Sequence, residues 1–191
     1  MIEPPTTATL KALAALAADE SQLGRALNGL ADAARCGSEE EIADEFNRLF
    51  IGLSEGELRP YGSYYQVGFL YERPLADLRR DLARLGIRRT AAVSEPEDHI
   101  ALLCEVMAAL IEGRCGEPAT PQVQAEFFSA RLGHWAPRFF ADLEASENAR
   151  FYRAVARLGA AFIAIEAEAF AVGETSHEDL SEPQPLAIAQ R

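Results

Sequence analysis

Several residue types that support common protein chemistries are scarce in this chain of 191 residues. Lys11 is the only lysine, so a phosphate-binding P-loop or a Schiff-base lysine has almost no candidate residue. The three cysteines, Cys36, Cys104 and Cys115, form no CxxC pair, so neither a disulfide framework nor a cysteine zinc site is indicated. The three histidines lie far apart and no HExxH motif occurs. We therefore expect no metal site and no cofactor.

Long apolar runs and targeting signals are also lacking. No apolar run approaches the roughly 18 residues that suggest a membrane span. The first nine residues lack a basic stretch followed by an apolar run, which is the pattern of a signal peptide. The sequence therefore predicts a cytoplasmic protein without stable membrane insertion.

The composition is rich in helix-forming residues and carries an excess of negative charge. There are 35 alanines and 22 leucines, whereas valine, isoleucine and threonine together number 21. Alanine and leucine lose little freedom in a helix, while β-branched residues favour strands. The net charge of −12 repels phosphate backbones, so we expect no nucleic-acid partner, and it attracts basic peptides.

Apolar residues spaced by three and four positions predict an all-α, single-domain bundle of seven or eight helices. The domain is expected to span residues 1–173, followed by a polar tail over residues 174–191. The predicted helices are 6–19, 20–35, 38–52, 75–85, 94–113, 120–132, 138–144 and 149–172.

Residues 53–74 interrupt this pattern with glycine and proline and predict a long loop. The loop is rich in aromatic side chains: Tyr61, Tyr64, Tyr65, Phe69 and Tyr71. Two interpretations remain open at this point. The rings either fill the core from a loop or belong to a functional loop, as long loops often do.

A second polar cluster lies where a helix is expected to begin after Ser94. Glu95, Glu97, Asp98 and His99 would fall in its first turn, where acids commonly stabilise the helix dipole. The functional alternative is an acidic rim formed by the three carboxylates, which could bind an arginine side chain.

Five segments, in the same order, carry a resemblance to a known family. They are Glu45 to Gly52, Pro60 to Tyr65, Glu95 to Ile100, Phe128 to Trp135, and the helix from Phe151-Tyr152 to Glu166. On these motifs the chain resembles the TorD/DmsD family of redox-enzyme maturation chaperones. The resemblance covers about residues 42–168, and Arg131 departs from it where the family often has histidine.

The resemblance implies an all-helical cytoplasmic chaperone rather than an enzyme. Its partner would be the twin-arginine signal peptide and apo form of a molybdenum-cofactor oxidoreductase, such as a sulfoxide, N-oxide or nitrate reductase or formate dehydrogenase. It places Asp98 and His99, with Glu95 and Glu97, in the signal-peptide recognition region. Tyr61, Ser63 and Tyr65 fall in the other motif loop, and the peptide is expected between the two segments. The assembly would be a monomer or a homodimer.

Two other functional classes stay open on the sequence alone. One is a small helical enzyme or metal-binding protein that uses Asp98 and His99, with Cys104 or Glu105. The other is a ligand-sensing regulator, although no basic helix-turn-helix for reading DNA is visible.

Overall fold

Nine α-helices form the described part of the chain in a computed structural model, which describes residues 2–52, 56–88, 95–114 and 116–178, with side chains through residue 172. The helices are α1 (Thr7–Ala14), α2 (Gln22–Cys36), α3 (Glu39–Phe46), α4 (Gly62–Val67), α5 (Arg73–Arg84), α6 (Ile100–Glu112), α7 (Pro121–Phe128), α8 (Ala136–Ala145) and α9 (Phe151–Glu178). Two π-helical turns, Asn47–Ile51 and Ser129–Gly133, continue α3 and α7. The prediction of an all-α fold is confirmed, with one or two more helices than expected.

The apolar faces of these helices meet in two hydrophobic clusters. The larger one contains buried residues of α5, α6, α7, α8 and α9. The smaller one joins α1, α2 and α3 to the start of α9, where Phe151 is buried. Helix α9 therefore contributes to both clusters. None of the described helices is long and apolar enough to cross a membrane.

Several helix ends coincide with the signals in the sequence. Ser38 accepts a hydrogen bond from the Glu41 backbone, and the Glu41 side chain accepts one from the Ser38 backbone, which is a complete capping box. Thr120 caps α7 in the same way with its hydroxyl. Gly113 ends α6 with φ of 71°, a left-handed conformation that favours glycine.

The prediction of an uninterrupted loop over residues 53–74 is wrong. Within it, Gly62–Val67 form helix α4, and α5 already begins at Arg73. Helix α4 is short and carries no side-chain cap of its own. Its first N–H groups are satisfied by a residue far away in sequence, so local patterns do not reveal it.

The prediction of a helix that begins after Ser94 is also wrong. Helix α6 begins at Ile100 and His99 is its N-cap, so Asp98 and His99 precede the first turn instead of lying in it. Ser94 itself lies outside the described residues.

Two further boundaries differ from the sequence prediction. Helix α1 ends at Ala14, earlier than predicted. Helix α9 continues to Glu178, past the boundary proposed at residue 173. The rest of the proposed tail lies outside the described residues.

Candidate functional site

An isolated antiparallel bridge joins the two segments that the sequence singled out. Tyr61 pairs with His99: the Gly62 N–H donates to the Asp98 carbonyl at 2.9 Å, and the Ile100 N–H donates to the Pro60 carbonyl at 2.8 Å. Glu97 and Asp98 form a turn, and the bridge holds His99 in an extended conformation, which explains why α6 starts late. It also brings the aromatic segment and the Glu95–His99 turn into contact.

Asp98 is the buried polar centre of this junction. Its side chain is 3% exposed, and its Oδ2 accepts a hydrogen bond from the Ser63 N–H at 2.7 Å. The carbonyl and the carboxylate of Asp98 therefore satisfy the first two N–H groups of α4, which would otherwise be unpaired. Among the described residues, Asp98 Oδ1 and Ser63 Oγ are buried without a hydrogen-bond partner. Buried polar groups without a hydrogen-bond partner are rare in proteins, and packing alone does not explain them.

Gly62 allows the same junction to pack against the fourth motif. A Cβ at Gly62 would lie 3.1 Å from Trp135 Nε1, which is tighter than ordinary van der Waals contact. The Trp135 indole in turn donates to the Arg131 carbonyl at 2.6 Å. Arg131, at the departure from the family pattern, forms an ion pair with Asp81, with 2.9 Å between Nε and Oδ2. The arginine therefore has a structural partner of its own.

His99 is buried and neutral at this junction. Its Nδ1 accepts a hydrogen bond from the Ala101 N–H at 3.1 Å, so the ring proton resides on Nε2. Burial lowers the pKa of His99 from 6.5 to about 4, against an opposing effect of the Glu95 carboxylate. The ring meets Tyr61 edge to face, with centroids 5.1 Å apart. At neutral pH His99 therefore adds no positive charge that would repel an arginine.

Two of the three predicted acids stand at the accessible side of the junction. Glu95 Oε2 accepts the Tyr61 hydroxyl at 2.8 Å. Glu97 Oε2 accepts two bonds from Arg79, at 3.0 Å from Nε and 2.8 Å from Nη2. A carboxylate offers about four acceptor positions, and Glu95 is partly exposed, so its carboxylate can accept a further donor. Asp98 is buried, which corrects the expectation that it belongs to an acidic rim.

Tyr65 does not face His99 as Tyr61 does, but packs toward α8. Its ring stacks on Trp135 with centroids 5.6 Å apart and meets Phe139 edge to face at 5.9 Å. Its hydroxyl donates to Asp142 Oδ2 at 2.9 Å, and burial, followed by that bond, raises its pKa. The Arg138 guanidinium lies 5.9 Å from the ring centre. Tyr65 is thus packed against the core, whereas Tyr61 belongs to the junction with His99.

Glu45 is an important residue that sequence reasoning did not single out. It is buried on α3, and its carboxylate accepts the backbone N–H groups of Arg150, Phe151 and Tyr152 at 2.8, 3.1 and 2.8 Å. It therefore caps α9 from another helix. A signal was present in the sequence, because Glu45 lies three residues after Ile42 and four before Leu49, a spacing that places it on the apolar face of the helix.

The residues of the enzymatic alternative do not assemble. Among the described residues, no group of three or more histidine, cysteine, aspartate or glutamate side chains is placed to hold a metal ion. Burial raises the pKa of the Cys104 thiol to about 11, with a smaller effect of Glu105. A neutral thiol is a poor nucleophile at physiological pH.

A cleft of about 590 Å³ lies elsewhere, where α2 and α3 meet the start of α9. Its lining includes Glu41, Asp44, Arg48, Glu147 and Arg150. Acids and arginines are mixed there, so the lining does not select a ligand of one charge. None of the predicted site residues lines it.

Two comparisons of the sequence with known proteins identify related families and chaperones. A family model described as the nitrate reductase delta subunit matches residues 16–141. The chaperone protein TorD of Vibrio cholerae serotype O1 is 32% identical over 160 residues, which cover 76% of this chain and 72% of that protein. A Haemophilus influenzae protein named as the Tat proofreading chaperone DmsD is 32% identical over 124 residues, 64% of this chain and 58% of its own length.

One solved structure has the same fold. It is the crystal structure of a proposed redox enzyme maturation protein from Archaeoglobus fulgidus, with a TM-score of 0.52 and 22% identity. The match covers 85% of this chain and 96% of that one.

Proposed function

We propose that this chain, which belongs to the TorD/DmsD family of redox-enzyme maturation chaperones, binds the twin-arginine signal peptide of a molybdenum-cofactor oxidoreductase. Relatives are named as chaperones, one of them for Tat proofreading, and this chain is a chaperone rather than an enzyme. The client would be a sulfoxide, N-oxide or nitrate reductase or a formate dehydrogenase. It would be held in its apo form in the cytoplasm until its cofactor is inserted.

The observation that carries this proposal is the bridge between Tyr61 and His99. It sets an aromatic side chain beside two partly exposed carboxylates, Glu95 and Glu97. A guanidinium forms strong charge-assisted hydrogen bonds with carboxylates and also stacks on aromatic faces. A pair of arginines could therefore be held at the Glu95–His99 turn.

Each predicted residue then has a separate part. Glu95 and Glu97 receive the guanidinium groups, and the His99 Nε2–H can donate to the peptide. Tyr61 offers its ring, while Asp98 and Ser63 hold the two segments in register through their hydrogen bond. Tyr65 supports the junction through its stacking on Trp135.

The test is a calorimetric titration of the purified chain with signal peptides of molybdoenzymes from the same organism. Each peptide is paired with a version in which both arginines are alanine. We expect one peptide to bind with micromolar affinity and its altered version to bind at least tenfold more weakly, a difference of about 1.4 kcal/mol. Binding that is equal for both versions would rule out arginine recognition.

A further inference from the structure

The positive charge of this acidic chain is concentrated around one helix. Residues 73–89 contain six arginines and two aspartates, a net charge of +4. The whole chain carries −12, so the other residues together carry −16. Four of the six arginines belong to α5, which therefore presents a positive surface on a strongly negative protein.

Three arginines of α5 line up along its outer face. At 3.6 residues per turn, Arg73, Arg80 and Arg84 fall within about 40° of one another around the helix axis, and about 16 Å separates the first from the last. The three buried leucines of α5 lie on the opposite side and belong to the larger hydrophobic cluster. We call Arg73, Arg80 and Arg84 the arginine stripe.

The carboxylates that pair with the arginine stripe are less exposed than its guanidinium groups. Asp77 lies 3.8 Å from Arg73 and also pairs with Arg80, while Asp81 lies 3.4 Å from Arg84. The side chains of the three arginines are 90%, 66% and 76% exposed in chain order, whereas those of both aspartates are 28% exposed. A guanidinium has five N–H donors, so the outer layer of this face is cationic and has donors available for a ligand.

The stability of α5 does not account for this arrangement. Arg73 is the first residue of the helix, where the positive end of the helix dipole disfavours a cation. Arg80 and Arg84 are four residues apart, a spacing at which like charges repel. Both placements are unfavourable for the helix itself, and both favour an anionic ligand.

We propose that the arginine stripe binds an acidic segment of a partner protein, with three or more carboxylates distributed over about 16 Å. Arginine binds carboxylates through charge-assisted and often bidentate hydrogen bonds. The three guanidinium groups are spread over about three helical turns, so they do not converge on one small anion. An elongated row of carboxylates matches them better than a single phosphate does.

The charge of the rest of the chain favours a short segment over a large polyanion. A membrane surface, a nucleic acid or a second copy of this chain would extend past the arginine stripe and face the −16 of the other residues. Exposed charges more than about 8 Å apart are largely screened at physiological ionic strength, so a short segment interacts mainly with the stripe. This inference does not depend on the proposed function, because a signal peptide with two arginines is basic and would not bind here.

The test is a fluorescence anisotropy titration with two labelled helical peptides. One carries glutamate at positions i, i+4, i+7 and i+11, the spacing of the outer face of α5, and the other carries glutamine there. The triple variant Arg73→Gln/Arg80→Gln/Arg84→Gln should bind the glutamate peptide at least about tenfold more weakly than wild type, because three ion pairs are lost. Its melting temperature should not fall, since glutamine is nearly as good a helix former as arginine.

The matched control is Arg35→Gln/Arg114→Gln/Arg157→Gln, which removes the same charge from three other exposed arginines that pair with carboxylates. It should bind the glutamate peptide within about twofold of wild type. Equal weakening in the two triple variants would assign the binding to net charge and overturn the inference. Equal affinity of wild type for the two peptides, or no binding of either, would also overturn it.

A single substitution and two further measurements complete the test. Arg84→Gln alone should weaken binding by a smaller factor, and it replaces the triple variant if that variant does not fold. Vesicles containing phosphatidylserine that bind wild type but not the stripe variant would assign the surface to a membrane. Self-association in sedimentation that is lost in the stripe variant would assign it to a second copy of this chain. Either result would overturn the inference.

Discussion

Asp98 holds together the two segments of the proposed binding site from a buried position. Its carboxylate is buried and its Oδ2 is used by the Ser63 N–H. The sequence suggested an acidic residue in a rim, which would bind arginine directly. The structure instead makes Asp98 a positioning residue that fixes the aromatic segment against the Glu95–His99 turn.

Substitutions of Asp98 should separate positioning from charge recognition. Asp98→Ala leaves the Ser63 N–H unpaired, so the free energy of unfolding should fall by about 1–3 kcal/mol and peptide affinity should fall with it. Asp98→Asn retains an acceptor oxygen and should keep most of both. Urea unfolding and calorimetric titration measure the two effects. If Asp98→Asn folds like wild type but loses the peptide, the Asp98 charge itself recognises arginine.

His99 should make stability depend on pH. Burial lowers its pKa in the folded state from 6.5 to about 4, so the unfolded chain takes up the proton first as pH falls. The contribution of His99 is therefore complete above about pH 6.5 and is lost toward pH 4, by up to roughly 3 kcal/mol. His99→Asn keeps a good N-cap for α6 but does not titrate. Between about pH 7 and about pH 4, the free energy of unfolding should fall more steeply for wild type than for His99→Asn. Parallel curves for the two proteins would show that His99 is not the group responsible.

Arg79 occupies Glu97 as an arginine of a ligand would, with two hydrogen bonds to one carboxylate oxygen. An incoming guanidinium must share or displace it. Arg79→Gln should therefore raise the affinity for the twin-arginine peptide by about three- to tenfold, which corresponds to about 0.6–1.4 kcal/mol. The control is Arg80→Gln, which removes the same charge from α5 but breaks an ion pair with Asp77 instead. Weaker binding by Arg79→Gln than by Arg80→Gln would mean that Arg79 orients Glu97 for the peptide.

At the scale of helices, Glu45 connects the first and the last motif. Its carboxylate accepts three N–H groups at the start of α9, and α9 contributes to both hydrophobic clusters. The two motifs are therefore parts of one structural contact.

Glu45→Gln replaces one acceptor oxygen with an amide donor that faces backbone N–H groups. We expect the free energy of unfolding to fall by about 1–3 kcal/mol, because buried donors lose their partners. Asp44→Asn, an exposed neighbour on α3, is the matched control and should change it by less than about 0.5 kcal/mol. Equal urea midpoints for the two variants would show that the Glu45 contacts contribute little.

Helices whose caps are local could be predicted, and those whose caps are distant could not. Ser38 and Glu41 cap α3 from three residues apart, so the sequence contains the whole signal. Helix α4 depends on Asp98, which lies 35 residues after Ser63. The late start of α6 also results from a contact between distant residues, because the bridge to Tyr61 competes with helix formation at Asp98 and His99.

At the scale of the molecule, composition predicted the fold class and the motifs predicted the family. They also identified Tyr61, Ser63, Glu95, Asp98 and His99, which the structure brings together at one junction. They could not distinguish the buried acid from the accessible ones, because that depends on which carboxylate faces the N-terminus of α4. The departure of Tyr65 toward α8 likewise depends on its packing with Trp135.

The net charge of the chain supports the proposed partner over longer distances. A charge of −12 attracts a basic peptide and speeds its encounter with the acidic junction, most strongly at low ionic strength. In the proposed complex, Glu95 and Glu97 then determine where its arginines bind.

The most direct test of this account is a double-mutant cycle across the proposed contact. Titrations would combine wild-type chain or Glu95→Gln/Glu97→Gln with the twin-arginine peptide or a version with both arginines changed to glutamine. We predict a coupling energy of at least about 1 kcal/mol, as for close charge pairs at interfaces. Losses that simply add would mean that the arginines bind elsewhere, and would contradict the assignment of the Glu95–His99 turn as the signal-peptide site.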